Sequence, residues 1–142
     1  MRVNRYVLDA NIWVSYIITR KELKLTEAIV KNNLSIIICE ELLMEIERVF
    51  GYPHLKQFDI NVPIAIDFIQ KISVTRQLNY PLKRYIPDDV NDDYIVALAL
   101  QTGSGYITSG DKHILSEKER LETKYKKLTI LTKSEFEKKV MK

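Results

Sequence analysis

The chain has 142 residues and a net charge of +3, and 46% of its residues are hydrophobic and 29% charged. This composition is typical of one globular domain, and with only four glycines and four prolines it excludes disordered, collagen-like and linker-like chains. The single cysteine excludes an internal disulfide, no apolar run approaches the ~20 residues that span a bilayer, and residues 1–6 lack a signal peptide's apolar core. We therefore expect a single cytoplasmic domain over residues 1–142 with no membrane segment.

The apolar pattern predicts alternating strands and helices along the whole chain. In the first half it predicts strand 3–8, helix 9–18, helix 26–32, the β-branched strand 34–39 and helix 40–50, which ends at Gly51-Tyr52-Pro53. In the second half it predicts helix 63–71, strand 72–75, loop 76–91, buried helix 92–101, strand 106–108, charged helical material over 112–126, strand 128–131 and a C-terminal helix capped by Ser134. This alternation predicts an α/β fold, a central parallel sheet with helices on both faces.

The charge is unevenly distributed along the chain. Residues 1–110 carry 12 basic and 13 acidic side chains, whereas residues 111–142 carry 10 basic and 6 acidic ones. The basic C-terminal portion could receive a polyanion, but a solvated helix face of mixed charge is the simpler explanation.

Acidic residues recur where the predicted strands end. Asp9 follows the first strand, Asp111 follows strand 106–108, Glu45 lies on the helix after the second strand, and Asp92-Asp93 begins the buried helix. Ligands of open α/β sheets bind outside the carboxyl ends of the strands, so these acids should converge. Clustered carboxylates repel one another unless a cation holds them, and hard oxygen ligands suit Mg²⁺ or Mn²⁺.

A simpler structural role is available for most of these acids. Asp9, Asp92 and Asp111 could each be a helix N-cap, a position that favours aspartate. Glu45 and Glu47 flank the apolar arc of their helix equally well, so periodicity does not choose between them. Convergence at one sheet edge favours the metal site, because capping does not require it.

The other chemically active side chains have structural explanations. His54 and His113 are far apart in the sequence with no cysteine or histidine at ligand spacing, which argues against a zinc site. Cys39 ends an apolar strand and is expected to be an inert core thiol, and Trp13 and Tyr16 are expected to be packing residues.

Four stretches of the chain resemble the PIN domain, in the same order and strand context over residues 6 to about 131. They are Tyr-Val-Leu-Asp-Ala-Asn (6–11), Glu-Glu-Leu-Leu-Met-Glu-Ile-Glu-Arg-Val-Phe (40–50), Asp-Asp-Tyr-Ile-Val-Ala-Leu-Ala (92–99) and Tyr-Ile-Thr-Ser-Gly-Asp-Lys-His-Ile-Leu (106–115). More narrowly, they resemble the bacterial PIN proteins regarded as toxins of toxin–antitoxin pairs, the VapC-like ribonucleases.

The resemblance implies a three-layer α/β/α sandwich and a Mg²⁺- or Mn²⁺-dependent endoribonuclease. It also implies an RNA substrate, a cognate antitoxin as partner and a homodimer. By position, the catalytic and metal-binding acids that it implies are Asp9, Glu45, Asp92 and Asp111. Glu45 rather than Glu47 then takes the family's place.

The resemblance also assigns neighbouring polar positions. Asn11 and Ser109 align with the polar residues that support the acidic site, and Asp93 occupies a supporting position that is often a smaller polar residue. His113 stands where many relatives carry another acid.

Three basic side chains of the loop 76–91, Arg76, Lys83 and Arg84, are candidate phosphate contacts, although each also fits solvated surface charge.

Two other enzyme classes fit less well. A haloacid dehalogenase-type phosphatase would need an aspartate where the chain has Asn11 and another where it has Leu115. A receiver domain would need an aspartate after a middle strand, and those strands end at Cys39 and near Thr75. The alternative that stays open is a catalytically silent PIN-like module that binds RNA or protein.

Overall fold

The computed structural model describes residues 4–87 and 89–141, and its strands form a five-stranded parallel sheet. The strands are β1 (Asn4–Leu8), β2 (Leu34–Ile38), β3 (Val74–Thr75), β4 (Tyr106–Thr108) and β5 (Thr129–Leu131). Their order is β3-β2-β1-β4-β5, and every neighbouring pair is parallel. Strands β2 and β3 are added on one side of β1, and β4 and β5 are added on its other side. The topological switch point, where open α/β sheets bind ligands, therefore lies between β1 and β4.

Helices flank this sheet, which confirms the predicted α/β/α arrangement. They are α1 (Ala10–Ile18), α2 (Glu22–Lys31), α3 (Glu40–Phe50), α4 (Val62–Ile72), α5 (Asp93–Gln101), α6 (Lys112–Ser116), α7 (Lys118–Lys124) and α8 (Lys133–Val140). Short 3₁₀ turns cover Pro53–Phe58 and Val90–Asp92. Helix α5 packs against β1, β2 and β4, and α1 packs against α3. Within the described residues no helix is long and apolar enough to cross a bilayer.

The core is built from the central strands and from α5, whose residues 95–99 are all fully buried. Trp13 and Tyr16 are fully buried packing residues, as predicted. Cys39 is also buried, and this burial raises the pKa of its thiol to about 12, which keeps it protonated and unreactive. The expectation of an inert core thiol is confirmed.

Several predicted boundaries differ from the structure. Helix α2 begins at Glu22 rather than Thr26, because an acidic residue in the first turn and the buried Leu25 extend the helix towards its N-terminus. The third strand is shorter than predicted, covering only residues 74–75, and the predicted helical material over 112–126 divides at Glu117. The 3₁₀ turn over 53–58 was not predicted. Val3 and Asp88, which belong to the predicted strand 3–8 and loop 76–91, lie outside the described residues.

The predicted cap of the C-terminal helix is wrong. Thr132 rather than Ser134 caps α8: its hydroxyl accepts from the Glu135 amide at 3.2 Å, and the Glu135 carboxylate accepts from the Thr132 amide at 2.9 Å. Both candidate caps have a glutamate three residues later, so the local sequence allows either capping box. Because β5 ends at Leu131, the chain turns at Thr132 and the helix begins there.

Candidate metal centre

Side chains from three parts of the chain meet at the carboxyl end of the sheet, beside the switch point. Asp89, Asp92, Asp111 and His113 each offer one ligand atom, and these atoms all lie within 4.8 Å of one another. We call these four residues the acid cluster. Asp9 adjoins it, since the charge on Asp9 raises the pKa of Asp92 and the charge on Asp111 raises that of Asp9.

Ser109 links Asp9 to the backbone of Asp111. The Ser109 hydroxyl donates to Asp9 Oδ2 at 2.7 Å and accepts from the Asp111 amide at 3.0 Å, while Asp9 Oδ1 accepts from the Ala10 amide at 2.8 Å. Burial raises the pKa of Asp9 to about 6, and the hydrogen bond from Ser109 opposes this shift. Ser109 therefore holds the first of the predicted acids in place and favours its charged form.

Asp92 is the carboxyl group of the site whose burial and neighbouring charges oppose ionisation most strongly. It is 5% exposed, and its Oδ2 atom has no hydrogen-bond partner. Burial, followed by the charges on Asp111, Asp9 and Asp89, raises its pKa to about 8. A buried carboxylate oxygen without a partner is costly, and a divalent cation would satisfy that oxygen and neutralise the repulsion. The three carboxylates of the acid cluster are hard oxygen donors, which fit Mg²⁺ or Mn²⁺.

Capping accounts for two of the acids but not for Asp92. Asp9 accepts from the first amide of α1, and Asp111 Oδ1 accepts from the His113 amide at 2.7 Å as the N-cap of α6. Asp92 occupies the N-cap position of α5 without making a side-chain cap bond. Its burial therefore has no local structural explanation.

The structure separates Glu45 from Glu47. Glu45 points towards the site, and its Oε2 accepts a hydrogen bond from the Tyr94 hydroxyl. Burial raises the pKa of Tyr94, which keeps this phenol protonated as a donor. Glu47 is exposed on another face of α3. The side chain at position 45 is thus the one directed to the sheet edge, and it also acts on the pKa of Asp9.

Asp89 and His113 belong to the acid cluster although neither was predicted as a ligand. The Nδ1 atom of His113 lies 3.4 Å from Asp89 Oδ2 and 3.5 Å from Asp111 Oδ1. The sequence signal for Asp89 is its spacing of three from Asp92, which the 3₁₀ turn over Val90–Asp92 converts into proximity. His113 follows Asp111 by two residues across the N-terminus of α6.

Of the predicted supporting residues, Asp93 bonds to the preceding loop rather than to the acid cluster. Asp93 Oδ1 accepts from the amides of Tyr85 and Ile86 at 2.8 and 2.7 Å, and Arg84 lies 3.0 Å from its Oδ2. Asp93 therefore fixes the loop before α5. Asn11 is exposed in the first turn of α1.

The three basic residues predicted to contact phosphate have different surroundings. Arg84 pairs with Asp93, and Lys83 is exposed. Arg76 lines a separate cavity of about 260 Å³ together with Arg5. Among the described residues, Arg48 is the one basic side chain that lines the cavity containing the acids. Arg48 was not predicted, because it lies on a helix face with mixed charges.

The acids open into a surface cavity of about 650 Å³, which we call the acidic cavity. It is lined by Glu41, Met44, Glu45, Arg48, Tyr52, Tyr80, Leu82, Asp89, Val90, Asn91, Asp92, Tyr94 and Asp111. The carboxylates that line it are therefore reached from the protein surface.

Comparison with known proteins identifies a family and several similar solved structures. The family model of the PIN domain matches residues 5–113. The chain is 17% identical to a chain in the crystal structure of VapBC2 from Rickettsia felis bound to a DNA fragment from their promoter, with a TM-score of 0.57 over 90% of this chain and 98% of that one. It is 18% identical to a chain in VapBC-1 from nontypeable Haemophilus influenzae, with a TM-score of 0.55 over 90% and 97%. No curated protein sequence matches the chain.

Proposed function

Because the chain belongs to the PIN domain family, we propose that it is a Mg²⁺- or Mn²⁺-dependent endoribonuclease that hydrolyses RNA phosphodiester bonds. The observation that supports this most strongly is the buried, unpartnered Oδ2 atom of Asp92 within the acid cluster. Its burial costs stability, and a bound divalent cation would offset that cost.

The acidic residues of the site would have two roles, holding the metal ion and accepting a proton. Asp92, Asp111 and Asp9 would hold the ion, with Asp89 and His113 beside them, and Ser109 would keep Asp9 oriented and ionised. Such an ion would lower the pKa of a water molecule and would neutralise charge on the leaving oxygen of the phosphodiester. Glu45 is oriented by Tyr94 through Oε2, while its Oε1 makes only a 4.0 Å contact with Arg48, so Oε1 can accept a proton from the attacking water.

We further propose that the protein is the toxin of a toxin–antitoxin pair in the cytoplasm. The similarity in fold to chains of VapBC2 and VapBC-1 supports this proposal. A cognate antitoxin encoded beside the toxin, and a homodimer of the toxin itself, are the assemblies to test. Co-expression with the product of the adjacent gene, followed by purification through a tag on one chain, tests the first, and light scattering tests the second.

Hydrolysis of single-stranded RNA in Mn²⁺ tests the nuclease directly. We expect chelator to abolish cleavage, and Asp9→Asn and Asp92→Asn to abolish it while the fold persists. Asp67→Asn, which changes an exposed acid of α4, is the matched control and should retain activity. Cleavage that survives both chelation and the two site substitutions would refute the proposal. A wild-type protein that binds RNA without cutting it would instead be the silent PIN-like module.

A further inference from the structure

Exposed apolar side chains are concentrated around the acidic cavity. Among the described residues, the exposed large hydrophobic side chains that line it are Met44, Tyr52, Tyr80 and Val90, and the others are Leu23, Val30 and Ile64. We call the first four the exposed rim. Single exposed apolar residues are ordinary, but a group of them around a polar opening marks a surface that contacts a ligand. The members of the other group lie on α2 and α4 and line no part of this cavity.

The two aromatic members of the exposed rim are available to an incoming planar group. Tyr80 is 64% exposed although its hydroxyl donates to Glu41, so one end of the side chain is tethered while the ring stays accessible. Tyr52 is 42% exposed and lies 6.0 Å from the ring of His54. A tethered ring loses little conformational freedom when a ligand stacks on it, which favours binding.

Arg48 supplies the positive charge of the same opening. Its side chain is 68% exposed, and its ion pair with Glu45 is long, at 4.0 Å. An exposed pair at this distance contributes little, so the guanidinium group can bind a phosphate without losing a strong partner. The cavity thus presents carboxylates, one guanidinium group and two phenol rings.

We propose that Tyr80 and Tyr52 are stacking platforms for unpaired bases flanking the cleaved bond, and that Arg48 contacts a neighbouring phosphate. This inference rests on the proposed function and adds the side chains that would hold the substrate on either side of the cleaved bond. Paired bases in an A-form duplex are already stacked and cannot reach the rings. Two phenol rings beside a guanidinium group match alternating bases and phosphates better than they match the aliphatic surface of a protein segment.

Binding of a single-stranded oligoribonucleotide in Ca²⁺, compared with a duplex of the same sequence, is the first test. Tyr80→Leu should weaken single-strand binding at least about 5-fold. Tyr80→Phe should retain most of the binding, because the ring remains and only the tether to Glu41 is lost. Ile64→Ala is the matched surface control. The affinity falls as salt rises, so the slope of log K against log[salt] is negative. Arg48→Gln should make this slope shallower by about 0.7, the value for one phosphate of a single strand. Tyr80→Leu and the charge control Lys24→Gln should leave that slope unchanged.

Fluorescence of a Tyr80→Trp variant reads stacking without requiring cleavage. Single-stranded RNA should quench the new indole, whereas an oligonucleotide with abasic positions, or the duplex, should not. Quenching that is equal for abasic, duplex and single-stranded ligands would refute stacking. Wild-type affinity for single-stranded RNA in the double variant Tyr80→Leu, Tyr52→Leu would also refute it. The exposed rim would then be assigned to a protein partner. Failure of the nuclease itself appears separately, as absence of Mn²⁺-dependent hydrolysis in the wild type.

Discussion

Replacing Asp92 by asparagine should stabilise the metal-free protein. The pKa of Asp92 rises from 3.8 to about 8 on folding, so between these pH values the folded protein holds a proton that the unfolded chain releases. Stability therefore falls as pH rises through this window, by about 1.4 kcal/mol per pH unit, and the loss is complete above pH 8. At pH 7 the cost amounts to about 4 kcal/mol. The side-chain amide of the asparagine would still be buried without a hydrogen-bond partner, which costs about 1–3 kcal/mol. The net gain in the free energy of unfolding is therefore about 2 kcal/mol.

Thermal melts from pH 5 to pH 8 in chelator measure this gain. For a chain of this length, about 2 kcal/mol corresponds to a rise of about 4–8 °C in melting temperature. The rise should grow with pH, because only the wild type loses stability across the window. In millimolar Mn²⁺ the difference in melting temperature between the variant and the wild type should disappear or change sign. Mn²⁺ binding stabilises the wild type by about 2.7 kcal/mol when its concentration is 100 times Kd, whereas the variant lacks one of the metal-binding carboxylates.

The matched control is Asp59→Asn, which changes an exposed residue at φ 50°, a conformation that asparagine tolerates. It should leave both the pH dependence and the response to Mn²⁺ unchanged. The reasoning is refuted if Asp92→Asn melts at or below the wild-type temperature at pH 8 in chelator, or if both proteins respond equally to Mn²⁺.

Four further substitutions test other parts of the structure. Ser109→Ala removes the hydrogen bond that lowers the pKa of Asp9, so the acid limb of the pH profile of kcat/KM should move to higher pH. An acid limb that does not move would show that it does not report the ionisation of Asp9. Asp93→Ala leaves two backbone amides of the preceding loop unpaired, and urea unfolding should show a loss of about 2–4 kcal/mol. Thr132→Ala should lower the melting temperature by about 2–4 °C, whereas Ser134→Ala should change it little, and the reverse order would restore Ser134 as the cap.

The amino-acid sequence alone determines the order of the elements and the edge at which the acids gather. Alternating apolar strands and amphipathic helices commit the chain to a parallel sheet, and the carboxyl ends of parallel strands share one edge. Asp9 follows β1 directly and Asp111 follows the end of β4 by three residues, so their position at that edge follows from the pattern. Helix α3 begins and ends where the periodicity predicts, because its apolar arc is continuous from Leu42 to Phe50.

Only the tertiary structure decides which polar side chains join the site. Glu45 and Glu47 are equivalent by periodicity, but the tertiary structure brings the Tyr94 hydroxyl to Glu45 and leaves Glu47 exposed. Asp92 and Asp93 are adjacent in the sequence, yet one enters the acid cluster and the other bonds the preceding loop. These outcomes depend on contacts between residues distant in the sequence. Local patterning specifies which face of an element is apolar, whereas the direction and pKa of a polar side chain are set by the neighbours that folding brings to it.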